Sequence, residues 1–217
     1  MGIGHAAVAL GASRIEPRIN VGVLIFAALF ADFLLWVLVA LGVEQVHVPA
    51  DFAARHYLTF TFPYSHGLVS LLIWGVLLGG MVCWIDRRNR KLAFWVIAAL
   101  VFSHFLLDAL VHVPELPLLG ENSPKIGLAL WNHLPLELVL ETVMAAAGLA
   151  IYLRLPGSIL NRYGIAGFTI LLTGLTWLPL WMAKAPSPSR VNWIFPLLFA
   201  VIPYIFDRKR VMAAQSA

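Results

Sequence analysis

The sequence predicts an all-α protein: a polytopic membrane helical bundle of about six transmembrane helices, with a short N-terminal re-entrant helix. Three observations carry this expectation. Hydrophobic residues make up 61% of the chain and charged residues only 12%, against roughly 45–50% and about 25% in soluble domains, so too little polar surface exists to cover the apolar excess in water. Six stretches, near 18–42, 64–85, 92–113, 133–154, 163–183 and 191–207, are apolar over lengths suited to about 30 Å of hydrocarbon. The basic residues fall in short clusters between those stretches. That is how topology-setting charges are placed, and it does not make the basic stripe with interleaved aromatics that nucleic acid would need. Membrane lipids are the expected surroundings, and no nucleic-acid partner is expected.

Taken in order, residues 2–13 are apolar but too short to span, and Ser13, Arg14, Glu16 and Pro17 then read as a turn. Two readings stay open for this segment: a helix folded back into the bilayer where protein covers it, or a helix lying flat on the surface. The first long stretch exceeds the h-region of a cleaved signal, so insertion through the protein's own helices is expected. The second and third stretches flank Arg87, Arg88, Arg90 and Lys91. Two longer connections, 43–63 and 114–132, contain Pro49, Pro63, Pro114, Pro117 and Pro124, and the short last stretch carries Pro196 and Pro203. The lone Cys83 excludes an intrachain disulfide. The whole chain, 1–217, reads as a single transmembrane domain, with 1–154 supplying the helices of a site and 155–217 two accessory helices.

Orientation follows from the alternate loops. Arg14, Arg18, the Arg87–Lys91 cluster, Arg154, Arg162 and the Arg208–Arg210 cluster fall on one side, and only Arg55, Lys125, Lys184 and Arg190 on the other. The positive-inside rule then puts both termini in the cytoplasm and the two long loops outside.

Ionisable residues inside a span are expensive and mark function. Here Asp32 lies within the first stretch, His66 opens the second, His104, Asp108 and His112 recur every four residues along the third, and His133, Glu137 and Glu141 do so along the fourth. Four-residue spacing puts each triplet on one helix face. At 1.5 Å per residue these side chains share a layer in the outward half of the bilayer, roughly 20–30 Å from the cytoplasmic ends, and a folded-back His5 reaches ~15 Å. Each has an ordinary reading when taken singly. A lone buried His is usually hydrogen-bonded core, and Glu137 suits the N-terminal end of a helix. The coincidence of depth across four spans is what makes a site. Imidazoles and carboxylates together suit divalent transition metals, zinc above all. Eight candidates (His5, Asp32, His66, His104, Asp108, His112, His133 and Glu137) exceed the four that one tetrahedral zinc uses. Two or more metals bridged by Asp108 account better for the surplus. Such a site acidifies a water and clamps phosphoryl oxygens, so hydrolysis of phosphate esters is the leading expectation. Ser65, Ser103, Asn132 and Glu141 are candidate supports for the ligands, and His47 and His56 read as solvated loop residues.

The order of these residues resembles the zinc-dependent phospholipase C and P1-type nuclease superfamily: His5, Asp32, His66, then His104-Phe-Leu-Leu-Asp108, His112, and His133-Leu-Pro-Leu-Glu137. In its membrane setting the chain also resembles the bacterial inner-membrane metal-dependent hydrolases of the LexA-binding type, over roughly residues 1–141. The resemblance implies one zinc on Asp32, His66, His104 and Asp108, a second on His112, His133 and Glu137, and a third drawing on His5 and Asp108. It further implies a bacterial inner-membrane location, a metal-held hydroxide as nucleophile, Asp32 and Asp108 as catalytic carboxylates, and phospholipids among the substrates. Other divalent metals would suit the same ligands. The competing expectations are a divalent-metal transporter or channel, a haem protein with paired axial histidines, and a regulatory scaffold without catalysis.

Overall fold

The computed structural model describes residues 2–85, 90–185 and 191–216. Met1 and Ala217 lie outside the described residues, as do Arg87 and Arg88 of the basic cluster and Arg190. The chain is mostly helical: α1 Gly2–Ala12, α2 Val21–Ala28, α3 Phe30–Ala40, the one-turn α4 Phe52–Arg55, α5 Leu68–Ile85, α6 Arg90–Val111, α7 Leu134–Tyr152, α8 Ile159–Thr176 and α9 Ile194–Ser216. Two small antiparallel ribbons trim the long loops. In one, β1 Gln45–His47 pairs with β2 Thr59–Thr61 with Val46 opposite Phe60; in the other, β3 Leu116–Pro117 pairs with β4 Lys125–Ile126.

Four helical segments among the described residues are long and apolar enough to cross a membrane: Leu68–Ile85, Lys91–Val111, Leu130–Tyr152 and Ile159–Trp181. The expected first span is a bent pair, α2 and α3, meeting at 56°, so the number is four, or five if the pair counts as one. The expected sixth, α9, is helical from Ile194, but Asp207, Arg208, Lys209 and Arg210 follow closely after its apolar part. Only 13 residues, Ile194–Phe206, stay free of charge, and these rise ~20 Å, short of the hydrocarbon thickness.

The helices pack as pairs around α1. α5 and α6 form a hairpin; α1 lies against α7, α2 and α6; α9 rests on α2 and α8, and α8 on α7. Ile3, His5, Ala6, Ala9 and Leu10 are all buried, so α1 is a central strut and not a surface helix. Its sequence shows no polar face because it has no solvent face. Small residues permit the close approach, as in membrane helix pairs generally. A Cβ on Gly148 of α7 would fall 2.4 Å from the Ala7 carbonyl oxygen of α1, and one on Gly22 of α2 would fall 2.4 Å from that of Ala200 on α9.

A buried polar knot ties the far ends of these helices. Asp207 Oδ2 accepts from the Val21 N–H at 2.8 Å, and Oδ1 accepts from the Tyr152 hydroxyl at 2.6 Å and the Asn161 amide at 3.1 Å. The same amide donates to the Phe206 carbonyl at 3.2 Å. Asn20 caps α2 by accepting from Gly22 and donates to the Tyr204 carbonyl. One side chain from α9 thus fixes α2, α7 and α8 together.

Candidate metal centre

Helix α6 sets the frame. His104 and Asp108 are one turn apart on its inner face, and His112 stands just past its last residue, Val111. Opposite them, the bend between α2 and α3 puts Asp32 in the first turn of α3. The bend coincides with a foreign side chain at the backbone, because His104 Nδ1 donates to the Ala28 carbonyl at 2.8 Å, a recognised cause of helix kinking. His66 stands two residues before α5 begins, in a turn and not inside the helix. His5 comes from the first turns of α1 and stacks on His104, centroids 3.7 Å apart and planes 6° from parallel.

Asp108 is the hub. Its Oδ1 lies 3.1 Å from His5 Nε2, and its Oδ2 lies 3.1 Å from His104 Nε2, 3.5 Å from His66 Nε2 and 3.6 Å from His112 Nε2. Asp32 Oδ1 adds approaches of 3.7 Å to His66 Nε2 and 3.8 Å to His104 Nε2. The Nε2 atoms of His66 and His104 are themselves 3.1 Å apart. His5, His66, His104, Asp108 and His112 are all buried, and Asp32 is half-buried.

The other ring nitrogens show what these contacts mean. A carbonyl oxygen can only accept, so His104 Nδ1 carries the hydrogen it gives to Ala28. Ser65 spends its single hydroxyl hydrogen on Glu44 Oε2 at 2.6 Å, so at 2.8 Å from His66 Nδ1 it must accept. His112 Nδ1 donates to Glu115 Oε1 at 2.7 Å. Neutral imidazoles held this way present bare Nε2 lone pairs. These lone pairs face one another and the oxygens of two carboxylates, while His5 Nε2, 3.1 Å from Asp108 Oδ1, can donate to it. Such a cluster could hold a cation.

The spacing fits a metal. Ligand atoms about 2.0–2.2 Å from a tetrahedral ion are roughly 3.3–3.6 Å from one another, and the observed separations run from 3.1 to 3.8 Å. Two overlapping groups can each hold an ion, His5 with His104 and Asp108, and Asp32 with His66 and His104. Carboxylate or hydroxyl support behind a ligating His, here Glu44 through Ser65 and Glu115 directly, is the usual second layer of such sites. His5 Nδ1 is buried and has no hydrogen-bond partner among the described residues.

Other expected residues fall elsewhere. His133 is exposed at the start of α7 and belongs to neither three-residue group. Glu137 and Glu141 are buried one turn apart on α7. Both glutamates line a cavity of about 290 Å³ with Gly2, Tyr57, Phe60 and Trp131. Trp131 and Phe60 also touch the His112 ring, at 3.9 and 5.9 Å between centroids, so this cavity adjoins the cluster. His56, expected in solvent, is half-buried and lines the same cavity, whereas His47 is exposed and bonds Thr61. At the mouth, Tyr57 donates to Asn132 Oδ1, and Arg55 donates to Tyr57 and to Asp51. The bond from Arg55 holds the Asp51 carboxyl below its usual range. Ser103 bonds back to Leu100 within α6 and takes no part.

Sequence reasoning missed Glu44 and Glu115. Each lies in a loop, where acidic residues are ordinarily solvated. Glu115 carried one legible signal, its three-residue offset from His112. Glu44, twenty-two positions from His66, carried none.

Compared with known proteins, the chain significantly matches no family model, no curated protein and no solved structure.

Proposed function

We propose that the protein is a membrane-embedded metal-dependent hydrolase acting on phosphate esters. The carrying observation is the convergence of the His66, His104 and His112 Nε2 atoms on Asp108 and Asp32 with their Nδ1 hydrogens already committed. Asp32, His66, His104 and Asp108 would hold one ion, and His5 and His112 would bring Asp108 into contact with a second. Zinc suits the mixture of imidazole and carboxylate best. Metals so placed would acidify a water and bind the phosphoryl oxygens of the ester. Asp108, touching four imidazoles, would set their relative positions, and half-buried Asp32, the more accessible carboxylate, would accept a proton. The resemblance of the residue order to the zinc-dependent phospholipase C superfamily and to the bacterial inner-membrane hydrolases supports the same reading. In it, α9 serves as a sixth, short span, both termini are cytoplasmic, and the cluster opens outward beside the β1–β2 and β3–β4 loops.

The test is elemental analysis of purified protein, together with release of phosphate or alcohol from mono- and diesters before and after chelation. Two or three zinc ions per chain and chelator-sensitive hydrolysis are expected. An intact protein that binds no divalent ion would end the proposal. Ion uptake into proteoliposomes without hydrolysis would turn it into the transporter reading.

A further inference from the structure

The loop end of the molecule carries a second cavity that the ligand cluster leaves unexplained. It measures about 320 Å³, and its walls include Arg55, His56, Tyr57, Trp131, Asn132 and Leu134. Four of these, His56, Tyr57, Trp131 and Leu134, also line the cavity of about 290 Å³ beside His112, so the two are adjoining chambers with common walls. Their charges differ in sign. The inner chamber carries the carboxylates of Glu137 and Glu141. The outer one has the Arg55 guanidinium and no carboxylate among the described residues of its wall.

Hydrogen bonds decide which groups of the outer chamber are left over. Arg55 Nη1 donates to the Tyr57 hydroxyl at 3.3 Å, and Tyr57 passes its own hydrogen to Asn132 Oδ1 at 2.8 Å. This one-way chain, through a tyrosine only 5% exposed, spends the oxygen of the Asn132 amide and leaves its N–H groups unspent. Arg55 Nε donates to Asp51 Oδ2 at 2.6 Å, which still leaves more than half of the guanidinium's N–H groups. His56 adds an independent sign. It closes the one-turn α4 in the left-handed region, at φ 58° and ψ 19°, a conformation that side chains ordinarily avoid and that collects at ligand clamps. Its ring lines both chambers, and its buried Nδ1 has no hydrogen-bond partner among the described residues. Buried polar atoms are seldom left so. A guanidinium, an amide and an imidazole around one space suit the oxygens of a phosphate. The acidic inner chamber repels the same group, so a second negative charge on a ligand belongs in the outer one. Only the Trp131 ring intervenes between Tyr57 and His112, at 5.4 and 3.9 Å between centroids, so one small molecule can reach both ends.

We propose that the outer chamber, walled by Arg55, His56 and Asn132, is an oxyanion subsite that takes a second phosphate on the substrate. This rests on the hydrolase reading for the fate of the first phosphate, but anion binding can be read without turnover. Arg55 is its own reporter. The intact protein in phosphatidylcholine nanodiscs is treated with phenylglyoxal, which modifies accessible guanidinium groups, with and without inorganic phosphate, and the adducts are mapped by peptide mass spectrometry. Millimolar phosphate should protect Arg55 and not the exposed Arg154. Asn132→Asp, at an exposed position, sets a like charge in the wall and should abolish the protection. Asp51→Asn, also exposed, removes the carboxylate that competes for Arg55 and should lower the half-protecting phosphate concentration about two- to fivefold, the worth of an exposed ion pair. Where hydrolysis is detected, Arg55→Gln should raise KM for propanediol bisphosphate about tenfold, as loss of a charged hydrogen bond does, and leave propyl phosphate unaffected. Arg55 modified equally with and without phosphate, or protected alike in all three proteins, would overturn the subsite. Protection by phosphatidylglycerol nanodiscs with none from soluble phosphate would give the chamber to a lipid headgroup and overturn it as well. Protection by phosphate without hydrolysis of any ester would leave the oxyanion site standing and remove the hydrolase.

Discussion

At one end of α7, Tyr152 meets Asp207 and Asn161, and Asp207 accepts from the backbone of Val21; near the other end, α1, α3 and α6 gather imidazoles and carboxylates around Asp108. Both clusters are buried, both join distant segments, and each contains an aspartate that composition alone would mark as functional. They differ in how donors and acceptors are matched. Around Asp207 an N–H, an O–H and an amide all point at carboxylate oxygens. Around Asp108 the Nε2 atoms of His104, His66 and His112 are acceptors once their Nδ1 atoms have donated to Ala28, Ser65 and Glu115, while His5 Nε2 can still donate to Asp108. A buried polar group costs little when its hydrogen bonds are complete. The Asp207 knot is therefore explained by architecture alone, whereas the Asp108 cluster has the ligand atoms that could hold a cation.

That contrast can be broken most sharply at its two centres. Asp108→Ala should lower metal affinity by well over about 100-fold, beyond the loss typical of supporting residues, and abolish hydrolysis while the protein still folds; elemental analysis beside circular dichroism would read both. Asp207→Ala should do the reverse. It strips acceptors from Val21 and Tyr152, each worth about 1–3 kcal/mol when buried, so stability should fall by roughly 2–6 kcal/mol in a denaturant titration with metal per folded chain unchanged. If Asp207→Ala loses metal selectively, the two clusters are not independent.

Smaller changes sharpen the same contrast. Glu115→Ala frees His112 Nδ1 and should weaken metal binding about 10–100-fold, measured by competition with a calibrated chelator. Tyr152→Phe removes one donor to Asp207 and should cost about 1 kcal/mol, seen as a modest drop in thermal midpoint with metal content unaltered. An equal effect of Tyr152→Phe on metal content would show that the knot positions the cluster.

Particular elements explain what was legible. The H-x-x-x-D-x-x-x-H run of α6 could be placed on one face because a helix returns to the same face every four residues, and its three side chains do converge. His5 was harder. Its helix has no polar stripe and no length to span, and only the packing of Ala7 against Gly148 shows it to be a central strut. His133 continued the four-residue pattern of α7, yet a 3-10 turn, Leu130–His133, precedes the helix and the residue is left exposed. The first expected span was readable as apolar sequence, but its 56° bend was not, since no Pro marks it.

The sequence by itself determined the apolar runs long enough to cross a membrane, the mostly helical architecture, and which side chains are costly to bury, because composition, apolar run length and four-residue spacing are local properties. Tertiary structure alone decided which of those side chains meet. It brought Asp32 and His66 to His104, sent Glu137 to an adjoining cavity, and recruited Glu44 and Glu115 from loops. Ring orientation and the fate of each Nδ1 hydrogen depend on neighbours far away in the chain, and no local pattern encodes those contacts.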